Sequence, residues 1–301
     1  MSSRVCAILV NYNAGPDLRV ALQSIADEMR GRNWEAVVVD NASVDGSEAI
    51  AGEFAPQARL IRNERNVGFA RGVNQGLAST GASLVLIMNP DCRLASGTLG
   101  VLESELASHQ RCAIVAPRVL NPDGSSQGNA RGDPDMLTGL FGRGSLLRRW
   151  LPQLAVSKRN VMDTDVTRDG RSISVDWLSG ACMLARRDAL DSVGGFDDRY
   201  FMYWEDADIC RRLRAKGFEV RYVPAVTATH RVGHSSRTAR DSSIRAFHES
   251  AYLYYSTNVA RRSFDPRRPI GRFLLAARCQ IQLRRSKVKS QKSNSPTSLA
   301  T

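Results

Sequence analysis

Residues 5–13 read VCAILVNYN. Six apolar residues, Val5 to Val10, run without a polar break and stop at the turn Asn11-Tyr12-Asn13. Such a run between polar turns reads as a strand buried on both faces, the kind found in parallel sheets covered by helices. Outward from it the pattern repeats. Leu18, Leu22, Ile25 and Met29 recur near the helical spacing of 3.6. Ala36–Val39 is a second apolar run, closed by Asp40, and Ser43 or Asp45 is placed to cap a helix carrying Ile50 and Phe54. Arg59–Ile61 predicts a short strand and Phe69–Leu77 a helix entered through Asn66-Val67-Gly68. Leu84–Met88 (LVLIM) predicts a buried strand ending at Asn89-Pro90-Asp91, before a helix marked by Leu99, Leu102 and Leu106 and a strand over Ala113–Ala116. This alternation predicts an α/β fold, Rossmann-like, with a mostly parallel central sheet flanked by helices. Ligands of such sheets bind beyond the carboxyl ends of the strands, where Asn11, Tyr12, Asp40 and Asp91 stand.

Residues 121–172 break the pattern with clusters of Gly, Pro, Asp, Asn and Arg around a small apolar patch, Leu137 to Leu151. They predict a variable, functional loop or a mobile lid. Ser174–Leu184 then reads as a strand, Tyr203–Arg214 as a helix, and Val220–Val223 and Ala225–Thr229 as two strands around Pro224. After Ser235 the chain reads as helical and basic. The expected organisation is a catalytic domain over 1–238, a basic amphipathic helical extension over 239–288 and a disordered tail over 289–301.

Of the 301 residues, 43% are hydrophobic and 24% charged, which excludes a wholly disordered chain. The net charge is +12, yet residues 245–301 hold twelve basic residues against two acidic ones, so the tail carries +10 of it. Such a tail suits an anionic surface, lipid or nucleic acid. Its Phe247, Tyr252, Leu253, Tyr254 and Tyr255, followed by Ile270, Phe273, Leu274, Leu275, Ile281 and Leu283, favour a bilayer, although the same residues would also serve to pack the helices on the catalytic domain. No nucleic-acid motif accompanies the charge, and nucleic acid is not expected as a partner. No run of 18 apolar residues and no secretory leader is present, and the six cysteines form no CxxC pair. The protein is therefore expected in the cytoplasm, with reduced cysteines, peripheral on the inner face of the plasma membrane. Its oligomeric state has no sequence signal.

Four positions carry chemistry: Asp40, Asp91, the pair Glu205-Asp206, and His230. Singly, each has a bland reading as a cap, a helix-start acid or a core histidine. Jointly, at strand ends and a helix start, they can converge on one cleft. One aspartate and one histidine are too few for a closed metal cage, but they suit a divalent ion completed by water and substrate phosphates. That chemistry fits a nucleotide-diphosphate donor. The absence of GxxxxGK[ST] argues against a P-loop NTPase, and the absence of GxGxxG after the first strand against a dinucleotide oxidoreductase.

Seven motifs in order then resemble the family 2 glycosyltransferases of GT-A fold, and among them the bacterial rhamnosyltransferases: VCAILVNYN (5–13), VVVDNASVDGS (37–47), RNVGFARGVNQG (65–76), LIMNPD (86–91), WLSGACMLARRDAL (177–190), GGFDDRYFMYWEDADICRRLRAKGF (194–218) and VPAVTATHRVGHSS (223–236). The resemblance implies that Val10 and Tyr12 border the nucleotide base, that Asp40 accepts from its ring N–H, and that Asn66, Gly68 and Asn74 shape the nearby wall. It implies Asp206 as general base; the residues themselves place Glu205 and Asp208 beside it, where like charge raises its proton affinity and the helix start offsets part of that rise. Gly180, Trp204 and Glu205 would line the acceptor pocket. Asn89 stands where the family's DxD motif has its first aspartate, which leaves Asp91 with His230 to bind Mg2+ or Mn2+. The implied activity is inverting transfer of L-rhamnose from dTDP-L-rhamnose to a polyprenyl-diphosphate-linked or glycan acceptor in cell-envelope assembly. Another nucleotide-hexose donor, such as UDP-Gal, UDP-Glc or UDP-GlcNAc, is the alternative, and an inactive nucleotide-sugar-binding relative a distant one.

Overall fold

A computed structural model describes residues 5–133, 170–231 and 240–293. The apolar patch 137–151, the boundary at 238/239 and the last eight residues lie outside the described residues. Strands β1 (Val5–Asn11), β2 (Trp34–Asp40), β3 (Ala58–Arg62) and β4 (Leu84–Met88) are parallel neighbours in the order β3-β2-β1-β4. Successive residues of β1 feed opposite cores. Val5, Ala7 and Leu9 join one cluster and Cys6, Ile8 and Val10 the other, which is why the sequence reads as an unbroken apolar run. Helices α1 (Asp17–Glu28), α2 (Phe69–Ala78) and α3 (Thr98–Ser108) follow strands as their periodicity predicts.

The predicted helix after Asp40 is instead a 3-10 segment over Ser47–Phe54, without a side-chain cap on its Gly46 N-cap. The predicted strand over 174–184 is three pieces. β8 (Ile173–Ser174) pairs with one sheet edge, β9 (Trp177–Leu178) pairs with β7 (Ala130–Arg131), and β10 (Cys182–Arg186) enters the main sheet antiparallel between β4 and β6 (Cys112–Leu120). Hydrophobicity marks these residues as buried but not which sheet buries them. The two predicted strands around Pro224 are one, β11 (Glu219–His230), parallel to β6. Its register breaks between Val223 and Thr227, where Pro224 lacks the N–H a ladder needs. β5 (Cys92–Leu94) closes the edge against the end of β11.

Helix α4 (Arg187–Ser192) follows β10, and α5 starts at Glu205 and runs to Ala215. Its start is two residues later than the sequence predicts because Tyr203 and Trp204 both adopt φ +69°. That left-handed backbone costs bulky residues about 1–2 kcal/mol each. Packing offsets the cost. Helix α6 (Arg240–Tyr254) lays Phe247 5.7 Å from Tyr203 and 5.9 Å from Trp204, and Tyr254 5.2 Å from Trp204. The chain ends in α7 (Arg267–Ser293), packed on α6 and reaching five residues beyond the expected helical limit at 288. No disulfide links the six cysteines, all of them buried.

Candidate active site

The carboxyl ends of β1, β2, β4 and β11 and the start of α5 share one rim, connected by hydrogen bonds from Asp40 to His230. Asn11 and Asp40 are register partners at the ends of β1 and β2, and the Asn11 amide donates to Asp40 Oδ1 at 2.8 Å. The Ser43 hydroxyl donates to the same oxygen at 2.5 Å and the Ser43 N–H to Oδ2 at 3.1 Å, so this buried carboxylate is fixed in direction. Tyr12, half-buried, follows β1 directly, and Val10 is covered by α2, where a Cβ on Gly72 would come within 2.8 Å of it.

The Asn41 amide then donates to Gly68 O at 3.2 Å, and Phe69 N–H to Phe201 O at 2.7 Å. Gly68 has φ +91°, and a Cβ there would lie 2.4 Å from Phe201 O. The close approach that demands glycine is therefore to the 201 backbone. Asn66 accepts from Gly68 N–H at 2.9 Å and lines a surface cavity of about 260 Å3 with Arg65, Arg71, Arg199 and Phe201. Asn74 faces elsewhere. Its amide group donates to Phe196 O at 2.8 Å and Asp198 Oδ1 at 2.7 Å and accepts from Phe196 N–H at 2.9 Å, stapling α2 to the turn before α5.

Across the rim, Gly180 N–H donates to Asp206 Oδ2 at 3.1 Å, and the next residue, Ala181, accepts through its carbonyl from Asn89 N–H at 2.9 Å. Two adjacent residues thus join the α5 start to the Asn89-Pro90-Asp91 turn. Asp208 is withdrawn from this face. It accepts from Arg212 Nε at 2.6 Å and from the Asn258 amide at 3.2 Å. The crowding at the start of α5 is felt by Glu205. It is only 6% exposed, and its Oε2, like Trp204 Nε1, lacks a hydrogen-bond partner among the described residues. Burial first, then the neighbouring Asp206, pushes the Glu205 carboxyl well above the usual range. The two acids divide: Glu205 is held neutral inside and Asp206 stands half-buried at the rim.

A stability effect follows from that division. The folded chain holds a proton on Glu205 that the unfolded chain releases near pH 4.5, so Glu205 makes stability fall as pH rises from there through its folded value. Glu205→Gln keeps the shape without the ionisation. Its Tm relative to wild type is expected to be near parity at pH 4 and to rise steadily toward pH 8. Parallel Tm profiles for the two proteins would show that Glu205 ionises freely in the fold.

His230 closes the rim. Its Nε2 lies 3.1 Å from Asp91 Oδ1 and 3.3 Å from the Asn89 amide nitrogen. Two ligand atoms about 2.1 Å from one ion and at right angles to each other are about 3.0 Å apart, so the pair fits adjacent positions on a hard divalent cation. Cys92 lies in the same cluster but is excluded from the donor set. Burial pushes its thiol well above the usual range, and the Sγ donates to Ala181 O at 3.2 Å.

Sequence reasoning missed the part played by three residues. Gln127 bonds the His230 ring from within the segment read as variable, and Phe247 and Tyr254 of α6 wall in Trp204. A lone glutamine in NPDGSSQGN carries no signal, and nothing in α6 marks which residue meets Trp204.

A family model described as Glycosyl transferase family 2 matches residues 6–194. The chain belongs to glycosyl transferase family 2. Its members transfer glycosyl groups, and this chain is a hexosyltransferase of that family. It is 31% identical over 308 residues to the N-acetylglucosaminyl-diphospho-decaprenol L-rhamnosyltransferase of Mycobacterium tuberculosis (strain H37Rv), covering 97% of each chain. It is also 39% identical over 93 residues to the rhamnosyltransferase WbbL of Escherichia coli (strain K12), covering 30% of this chain and 35% of the relative. A structure of the mannosyltransferase PcManGT from Pyrobaculum calidifontis with GDP-Man and Mn2+ superposes with TM-score 0.57 at 18% identity, covering 92% of this chain and 74% of that one. One of GalNAc-T7 with UDP, GalNAc and Mn2+ gives TM-score 0.60 at 15% identity over 87% of this chain, which spans about half (52%) of that structure. These likenesses establish the fold as GT-A, as the motifs predict.

Proposed function

We propose that the protein transfers L-rhamnose from dTDP-L-rhamnose, with inversion, to a polyprenyl-diphosphate-linked acceptor in envelope glycan synthesis. The observation that carries this is the Gly180-Ala181 bridge, which brings Asp206 and the Asn89–Asp91 turn to one rim in a chain whose full-length relative is a decaprenyl-linked rhamnosyltransferase. Asp40, held by Asn11 and Ser43, accepts from the ring N–H of the base, with Val10 and Tyr12 beside it. Asp206 takes the proton of the acceptor hydroxyl as its oxygen attacks the anomeric carbon. Asp91 and His230 hold Mg2+ or Mn2+. When bound there, the ion supplies neutralising charge to the departing diphosphate. Trp204, with Gly180 opposite, flanks the acceptor sugar, and Glu205 supports that wall as a buried neutral acid. The test is release of nucleoside diphosphate from a panel of nucleotide sugars with Mg2+ or Mn2+. dTDP-L-rhamnose is expected to turn over fastest, and preference for a UDP-hexose would reassign the donor.

A lipid-linked acceptor would lie at a membrane surface, and the reading puts the enzyme there as a peripheral protein on the inner face, with α7 as its docking helix. No described helix is long and apolar enough to cross a bilayer. At 100° per residue, Gly271, Leu275, Cys279 and Leu283 form the face of α7 buried in the fold. The opposite face exposes Ile270, Phe273 (72% exposed), Leu274 and Ile281, with Phe264 fully exposed just before the helix. Arg267, Arg284 and Arg285 flank that apolar stripe. A second copy of this chain would oppose like charges there, whereas an anionic bilayer accepts both the cations and the apolar wedge. Changing Ile270, Phe273 and Ile281 together to Ser is expected to weaken co-sedimentation with phosphatidylglycerol vesicles by at least about tenfold. Tm and transfer to a water-soluble acceptor should be unchanged. Unaltered vesicle binding would remove α7 as the docking face.

A further inference from the structure

We infer that Gln127 is a positioning residue for the cation site, fixing the tautomer and the direction of His230. The inference rests on the reading that Asp91 and His230 hold the divalent ion. Gln127 stands on a hairpin that folds back on the end of β6. Asn121 N–H donates to Ser125 O at 2.8 Å and Gln127 N–H to Val119 O at 2.9 Å, while the Asn129 side chain accepts from Val119 N–H at 3.0 Å and donates to Pro117 O at 2.9 Å. These bonds bracket this part of the segment against the end of β6.

The Gln127 side-chain NH2 donates to His230 O at 2.8 Å, Asn121 Oδ1 at 2.9 Å and Leu120 O at 3.5 Å. Exchanging its oxygen and nitrogen would set an acceptor against two backbone carbonyls, which cannot donate, so its orientation is determined by its partners. Its Oε1 therefore meets His230 Nδ1, at 2.9 Å, and an acceptor there requires the hydrogen to be on Nδ1. In the neutral ring the Nε2 lone pair then accepts from the Asn89 amide and faces the Asp91 carboxylate across 3.1 Å, a gap that a divalent ion would bridge. A metal-binding histidine needs its other nitrogen to donate to a fixed acceptor in this way. The usual acceptor is a carboxylate or a backbone carbonyl. Here it is an amide that also grips the same residue's backbone, so ring and strand end are held by one side chain.

The bracket reaches the other half of the rim as well. Two residues on, Asn129 O accepts from Ser179 N–H at 2.9 Å, and the following residue, Gly180, donates to Asp206. Gln127 and Asn129 thus set the cation side and the base side from one short hairpin.

The experiment uses the full chain, Gln127→Leu and Gln127→Glu, with two readouts. Long-range 1H–15N correlation of the metal-free protein in mildly alkaline solution reports the His230 tautomer, assigned against His230→Ala and read in an Asp91→Ala background, where no Asp91 carboxylate competes for a proton on Nε2. With Gln127 in place the Nδ1–H form is expected, and with Gln127→Leu a mixture. Gln127→Glu keeps an acceptor for Nδ1–H but sets its second oxygen against His230 O, so the tautomer is expected to persist while the hold on the strand end is lost. With Asp91 present, Mn2+ binding, followed by electron paramagnetic resonance with dTDP present, should weaken about 10–100-fold in Gln127→Leu and less in Gln127→Glu. An Nε2–H ring with Gln127 in place overturns the inference. Equal Mn2+ affinity in Gln127→Leu and wild type also overturns it. Mn2+ binding that is indifferent to Asp91→Asn, with the tautomer as expected, would instead overturn the placement of the ion and leave the Gln127 clamp standing.

Discussion

Asp206→Asn is expected to cut sugar transfer by on the order of a thousandfold while nucleotide affinity stays within about twofold. The amide has nearly the carboxylate's shape, and its oxygen can still accept from Gly180 N–H and so keep the 180–181 bridge, at the loss of the bond that Asp206 Oδ1 accepts from Ala207 N–H at 2.8 Å. What disappears is the ability to take a proton. The Asp40 pocket lies on the far side of the rim and touches none of this, which is why donor binding serves as the internal control. Transfer is read as labelled sugar in the acceptor and binding by calorimetry with dTDP. A variant with near-normal turnover would move the base to another residue. Glu205, buried and held neutral, is poorly suited to replace it.

The strands that build the rim were legible because both of their faces are buried. β1, β2 and β4 contribute alternate residues to two cores, which forces continuous apolar runs that stop at the rim. Asp40 and Asp91 were legible for that reason, as acids at or just past the end of such a run, whereas His230 ends the half-buried strand β11 and was legible from its motif. The start of α5 was not. Its two aromatic left-handed residues are stabilised by α6, over forty positions later, and no local propensity announces them. The strand over 174–184 was seen as apolar, but its division among separate pairings depends on partners that hydrophobicity does not name. Asn74 was grouped with the nucleotide wall because it belongs to the same motif as Gly68. A helix turns by 100° per residue, and six residues on, its amide faces the 196–198 turn. Charge assignment within Glu205-Asp206-Asp208 needed the structure most, since Arg212 neutralises one acid and burial another.

Asp91→Asn is expected to remove divalent-ion dependence and to lower transfer by about 10³-fold, the effect of withdrawing several kcal/mol of charge stabilisation from the departing diphosphate. Two features make the effect large. The turn already carries an amide at Asn89, which faces His230 without charge, so Asp91 is the only carboxylate of the turn. Cys92, the third member of the cluster, remains a protonated thiol bonded to Ala181 O and cannot substitute. The substitution is otherwise mild. The Asp91 carbonyl that accepts from Arg231 N–H at 3.0 Å belongs to the backbone and persists in the variant. Tm is therefore expected to stay close to wild type, Mn2+ binding to fall with activity, and the dTDP base contacts at Asp40 to survive, so that metal-free nucleotide affinity is unchanged. Asp206→Asn should show the converse, normal Mn2+ binding with transfer lost. The two variants together separate the residue proposed to grip the cation from the residue proposed to accept the proton. If Asp91→Asn retained both its turnover and its response to Mn2+, the ion would have to be held away from the His230 end of β11.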